Sequence, residues 1–250
     1  MMNTCDMKHG MIALWLCAMA MAGQAQDVPV NDPNARVRKT EAFRGVEVSG
    51  AIELFVSQGP ESKVAISAKD VNDIGIIDTE VEDGILKIHY KDDRNWWNNQ
   101  WNTMGRKFRA YVSGPDIRLL SSSGSGGIHL MNTIKTDELR IGLSGSGNVE
   151  GAVQVGKLHV EQSGSSNIRL RGKASSAVFD CSGSGNIICP DLAADMCDIT
   201  IAGSGNAQIT VNKEISAEIS GSGNVRYKGT ATITDLSTSG SGKVRKVDAF

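Results

Sequence analysis

The pentapeptide Ser144-Gly145-Ser146-Gly147-Asn148 constrains this chain more than any other feature, because it returns. Variants of it begin at Ser123, Ser163, Ser182, Ala202, Ser220 and Ser239, so that successive starts lie 21, 19, 19, 20, 18 and 19 residues apart. A flexible Gly/Ser linker has no fixed period, whereas a period near 19 is that of stacked structural units. The residues one, three and five places before the motif are apolar: Leu143, Ile141 and Leu139, then Cys181, Phe179 and Ala177, then Ile201, Ile199 and Cys197, then Ile219, Ala217 and Ile215. The copy with Leu158 and Val160 breaks the pattern at Gln162. Arg140, His159, Glu161, Asp180, Asp198, Thr200 and Glu218 stand between the apolar positions. Period-two alternation marks a strand with one wet face.

A second, shorter strand is predicted directly after each motif, from Val149, Ile168, Ile187, Ala207, Val225 and Val244. A second turn then closes each unit, around Gly156, residues 172–176, residues 190–195 and Asn212-Lys213. The expected fold is all-β: a parallel β-helix or β-solenoid of about 19 residues per coil. It is expected to be right-handed, as crossovers between parallel strands usually are. A single coil cannot bury its apolar face alone, so stability must come from stacking. The corner residues fit that requirement. Gly147, Gly185 and Gly223 are predicted to need positive φ or close stacking, and the five in-register Asn residues to form an amide ladder.

Composition narrows the function classes. A formal net charge of −2 without a basic stripe or tail excludes a nucleic-acid partner. Lys8 and His9, the apolar run 11–22 and the small residues Gly23 and Ala25 read as a secretory signal, giving a signal peptide at 1–25. That run is too short to span a bilayer, and no transmembrane span is predicted elsewhere. Residues 26–42 read as a lead-in or linker, and 43–250 as one β-solenoid domain with irregular N-terminal coils. Within it Ser49-Gly50-Ala51 is a worn corner, and strand pairs are expected around 76–81 and 85–90. Cys181, Cys189 and Cys197 are three, an odd number, and Cys181 and Cys197 fall on inward positions, so they read as small core residues. In a stack Cys181 should lie over Ile201 and not over Cys197.

Residues 91–107 interrupt the strand pattern with a polar insertion that carries Trp96, Trp97 and Trp101. Aromatic rings beside Asn95, Asn98, Asn99, Gln100 and Asn102 are suited to sugar faces, and these three Trp are the candidate ligand-binding residues. The same loop could instead cap the N-terminal end of the stack or mediate self-association.

Phe43-Arg-Gly-Val-Glu-Val-Ser-Gly50, Leu54-Phe-Val-Ser-Gln-Gly59, Gly84-Ile-Leu-Lys-Ile88 and the Ser-Gly-Ser-Gly-Asn series together resemble the "putative auto-transporter adhesin, head GIN domain" family of bacterial envelope proteins, over about residues 43–245. The resemblance implies a β-helical fold and an envelope location. It brings no site residues. No catalytic residue, cofactor or metal is expected: the His residues are scattered, and the corner lacks the Asp of calcium-binding Gly-rich repeats. The expected function is a non-catalytic interaction or adhesion module in the periplasm, on the outer membrane surface or secreted, with an envelope protein or glycan as partner. The alternative is a polysaccharide-cleaving β-helix enzyme using Glu161, Asp180, Asp198 or Glu218, which requires a close carboxylate pair beside a groove.

Overall fold

The computed structural model describes residues 32–91 and 107–250. The expected signal peptide at 1–25 and the three Trp lie outside the described residues. Seventeen strands follow in chain order: β1 Arg36–Arg38, β2 Gly45–Gly50, β3 Ile52–Gln58, β4 Lys63–Ala68, β5 Ile77–Glu82, β6 Ile85–Tyr90, β7 Phe108–Gly114, β8 Leu119–Gly124, β9 Ile128–Leu130, β10 Ile134–Gly145, β11 Val149–Gly164, β12 Asn167–Gly183, β13 Asn186–Gly203, β14 Asn206–Gly221, β15 Asn224–Lys228, β16 Thr232–Gly240 and β17 Lys243–Lys246. The helical content among the described residues is one 3-10 turn, Val71–Ile76, whose N-terminus is capped by the Asp70 carboxylate accepting from the Asn72 N–H at 2.9 Å.

From β8 onward the structure is the solenoid that the period predicts. Strands stack parallel, one coil on the next, and the ladder joins Leu143 to Gln162, Gln162 to Cys181, Cys181 to Ile201 and Ile201 to Ile219. These side chains are buried, as are the neighbouring columns from Leu139 to Ile215 and from Ile141 to Ala217. Coil lengths differ by a residue or two, and the register shifts that absorb the difference fall between Ile168 and Gly172, Cys189 and Ala193, Ala194 and Met196, and Ile215 and Ser216. All lie between one corner and the next. The corners themselves stay in register.

The corner explains its own composition. The first glycine of every motif has positive φ, as Gly183 does at 115°. The second glycine does not, but it has no room for a side chain: a Cβ on Gly147 would overlap the carbonyl oxygen of Gly126, and one on Gly223 that of Gly205. Of the two predicted requirements, close stacking is the one that holds at Gly147, Gly185 and Gly223. The Asn ladder forms. The Asn167, Asn186, Asn206 and Asn224 side-chain amides donate to the preceding Asn Oδ1 at 3.0, 3.1, 3.1 and 3.1 Å.

The N-terminal coils depart from chain order. β2 lies between β6 and β8, and β3 between β7 and β9, so the coil made by β6 and β7 stacks outside the one made earlier by β2 and β3. Gly50 stands over Gly124, which confirms the worn corner. The stack does not stay parallel there: β4 pairs with β7, β1 with β4, and β5 with β6, all antiparallel. Asp83 (φ 53°) and Gly84 (φ 76°) provide the two-residue turn that folds β5 back on β6. Val64, Ile66, Ile74 and Ile77 are buried under these strands and continue the core to this end.

Candidate functional site

The second turns line an open groove on the edge of the stack away from the Ser-Gly corners. Its volume is about 710 Å³. It crosses five coils, from Lys135 on β10 to Asn212 on β14, a run of roughly 19 Å at the spacing of stacked strands. Two columns form it. Lys135, Gln154, Lys173 and Ala193 are successive partners in one, and Thr136, Val155, Ala174 and Ala194 in the next. Small residues recess the floor. Gly156 is one of them, and a Cβ there would press on the Asp137 carbonyl oxygen. Lys135, Gln154, Lys173, Ser175 and Asn212 are exposed and offer ammonium, amide and hydroxyl groups. At the β13 end Asp195 pairs with Lys213 at 2.8 Å, which raises the Lys213 pKa. Such a surface can hydrogen-bond an extended polar chain across several coils.

The carboxylates named from the sequence are not in this groove. Glu161, Asp180, Asp198 and Glu218 lie on the outer face of the strands that lead into the corners. There the His159 Nε2 meets Asp180 Oδ2 at 2.8 Å and Glu161 Oε1 at 3.6 Å. The two acids of the groove, Asp137 and Asp195, are separated by three coil steps, or roughly 14 Å, beyond the spacing of about 5–9.5 Å at which glycosidase carboxylate pairs act.

A second polar cluster sits on the face that follows the corners. His129 bridges Glu53 Oε2 and Glu150 Oε1 at 2.8 Å each, and its ring stacks on Phe55, which in turn stacks on Tyr111. The Tyr111 hydroxyl donates to Asp32 at 3.0 Å. Phe55, the middle ring, has both faces covered by the other two. Among the described residues no group of three or more His, Cys, Asp or Glu is placed to hold a metal ion.

Trp96, Trp97 and Trp101 lie outside the described residues, but the points where their segment joins the fold are clear. β6 ends at Tyr90 and β7 begins at Phe108, and these are the strands before and after the corner of the outermost parallel coil. Tyr90 packs against Phe108, edge to face at 5.7 Å, and Lys91 N–H donates to the Ile76 carbonyl at 2.9 Å. The groove escaped sequence reasoning, because its residues come from the variable second turns. The one available signal was the recurrence of small residues there.

The fold recurs in solved structures at low identity. A putative adhesin from Bacteroides fragilis is 24% identical, with a TM-score of 0.74 over 85% of this chain and 96% of that one. A putative adhesin from Parabacteroides merdae is 22% identical, with a TM-score of 0.65 over 86% and 95%. A putative lipid binding protein from Parabacteroides distasonis is 24% identical, with a TM-score of 0.62 over 86% and 96%. No curated protein matches the sequence. The family model described as "putative auto-transporter adhesin, head GIN domain" matches residues 42–231, and the chain belongs to that family.

Proposed function

We propose that this protein is an exported, non-catalytic adhesion module of the cell envelope that holds an extended, hydroxyl-rich polymer in the second-turn groove. The observation that carries the reading is the groove itself: polar side chains on each of five coils, ammonium, amide and hydroxyl groups on four of them and the Asp195 carboxylate on β13, above a floor of small residues. Polar groups in such a row suit a glycan chain, whose hydroxyls repeat along its length. The family's adhesin label and the apolar N-terminal run support an envelope setting. Trp96, Trp97 and Trp101 are proposed as a second contact.

A glycan array probed with the purified protein, scored for both binding and cleavage, tests the proposal. Binding without cleavage is expected. Gln154→Ala combined with Lys173→Ala should weaken it about tenfold or more, and the Trp96/Trp97/Trp101→Ala variant should weaken it while remaining folded. Cleavage of any glycan, or binding unchanged in the groove variant, would overturn the reading.

A further inference from the structure

From β12 to β17 the Ser-Gly corner divides the surface by charge, whereas the coils before carry Arg140 and Lys157 on the strands that lead into corners and Glu150 on the strand that leaves one. On the strands that lead into it, residues 176–182, 196–202, 214–220 and 232–239 contain Asp180, Asp198, Glu214, Glu218 and Asp235, and neither Lys nor Arg, while the β11 strand before them carries Lys157 and Glu161. On the strands that leave it, residues 167–171, 186–190, 206–210, 224–228 and 243–246 contain Arg169, Arg171, Arg226, Lys228, Lys243, Arg245 and Lys246, and neither Asp nor Glu. The stacked ladders bring some of these residues side by side: Glu161 stands beside Asp180, and Arg226 beside Arg245, while Thr200 separates Asp180 from Glu218. No Lys or Arg forms an ion pair with these acids, and no acid forms one with these bases, among the described residues. His159 meets two of the acids, and Lys228 lies over the Phe250 ring.

Like charges in adjacent rows repel one another and are unfavourable in a monomer. An oppositely charged surface of the same pitch would relieve both rows, and a second copy of this chain provides it. We propose that copies associate side by side, the acidic face of one against the basic face of the next. Both rows are cut from one stack, so they share the spacing of about 4.8 Å between coils. A neighbour lying parallel can then keep carboxylates opposite cations along several coils. Acid face on acid face, or base face on base face, is repelled, which fixes the orientation. The net charge of −2 leaves little overall repulsion to oppose association. The contact is heterologous, so it leads to rings or rows and not to a closed two-fold dimer.

Sedimentation velocity of the purified protein tests this at about 0.01 M and about 1 M salt, where the screening lengths are roughly 30 and 3 Å. Association at low salt that weakens at least tenfold at high salt is expected. Two exposed triple variants, Asp198→Lys/Glu218→Lys/Asp235→Lys and Arg226→Glu/Arg245→Glu/Lys246→Glu, should each stay folded by circular dichroism and sediment as monomers. Mixed together they should associate again, since the first variant keeps its basic face and the second its acidic face. A monomer at low salt would overturn the proposal, as would association unchanged by both variants or a mixture that stays monomeric. A wild-type monomer that instead binds dextran sulfate through the Arg226 and Arg245 row would reassign the basic face to an anionic polymer.

Discussion

At Ser166 the chain departs from its own rule. This residue takes the place of the second corner glycine and is fully buried, and its hydroxyl has no hydrogen-bond partner among the described residues. Its carbonyl accepts from the buried Gln162 Nε2 at 2.5 Å, and Gln162 is a polar break between Leu143 and Cys181 in its column. The coil above is affected too: a Cβ on Gly185 would overlap both the Gln162 amide and the Ser166 carbonyl oxygen. Two opposite outcomes follow. Gly185→Val should cost about 2–4 kcal/mol and lower the Tm by roughly 5–15 °C. Ser166→Gly should raise the Tm by a few degrees, because relief of a buried unsatisfied hydroxyl, about 1–3 kcal/mol, exceeds the backbone entropy cost of glycine. Differential scanning calorimetry of the two variants checks both directions. The cysteines are inert for a related reason. Cys181, Cys189 and Cys197 are buried and unbonded, and Cys181 lies over Ile201 as its place in the repeat predicts. Burial, with the Asp180 carboxylate adding to it, pushes the Cys181 thiol up to about 12, and burial takes Cys189 to about 12. At about pH 8 these thiols stay protonated. Native protein should therefore leave all three unmodified by iodoacetamide, and unfolded protein should expose them. Rapid labelling of Cys181 without unfolding would contradict the packing.

At the scale of elements, the corner is legible in the sequence and the second turn is not. Corner residues are fixed by backbone demands that only a few residue types meet, so Ser-Gly-Ser-Gly-Asn recurs almost letter for letter. The second turns meet no such demand: they absorb the extra residue near Pro190 and Asp191 and take whatever small or polar residue fits. Their groove therefore leaves no motif. The antiparallel direction of β4 and β5 was hidden for another reason. Period-two alternation gives a strand and its wet face but not its direction, which here is set by turns such as Asp83-Gly84. The Asn ladder, read from the repeat, makes its own prediction. Asn186 donates to Asn167 and accepts from both the side chain and the backbone N–H of Asn206, whereas the Asn224 amide donates to Asn206 and Ser222. Asn186→Ala should cost about 1–3 kcal/mol and Asn224→Ala about half of that or less, read from urea unfolding midpoints. Equal costs would show that the ladder is not cooperative.

The whole molecule is one stack whose edges and faces have separate chemistry. The corner edge carries hydroxyls and the amide ladder, the opposite edge the groove, and from β12 onward the two faces beside the corner carry opposite charges. All of these assignments rest on a single register, in which each coil lies on the next at the corner. Ser182 and Ala202 are partners in that register, and Ala202 and Ser220 are the next pair. Their side chains are exposed at the corner edge, where substitution disturbs no core residue. Neighbouring partners are about 4.8 Å apart, inside the range of roughly 4.4–6.8 Å between Cα atoms that a disulfide spans. Ser182 and Ser220 are two coils apart, or about 9.6 Å, which is too far. Mild oxidation followed by peptide mapping of two double variants therefore decides the matter. The Ser182→Cys/Ala202→Cys protein should close a bond between its introduced cysteines, and the Ser182→Cys/Ser220→Cys protein should not. A bond in the second and none in the first would contradict the stack.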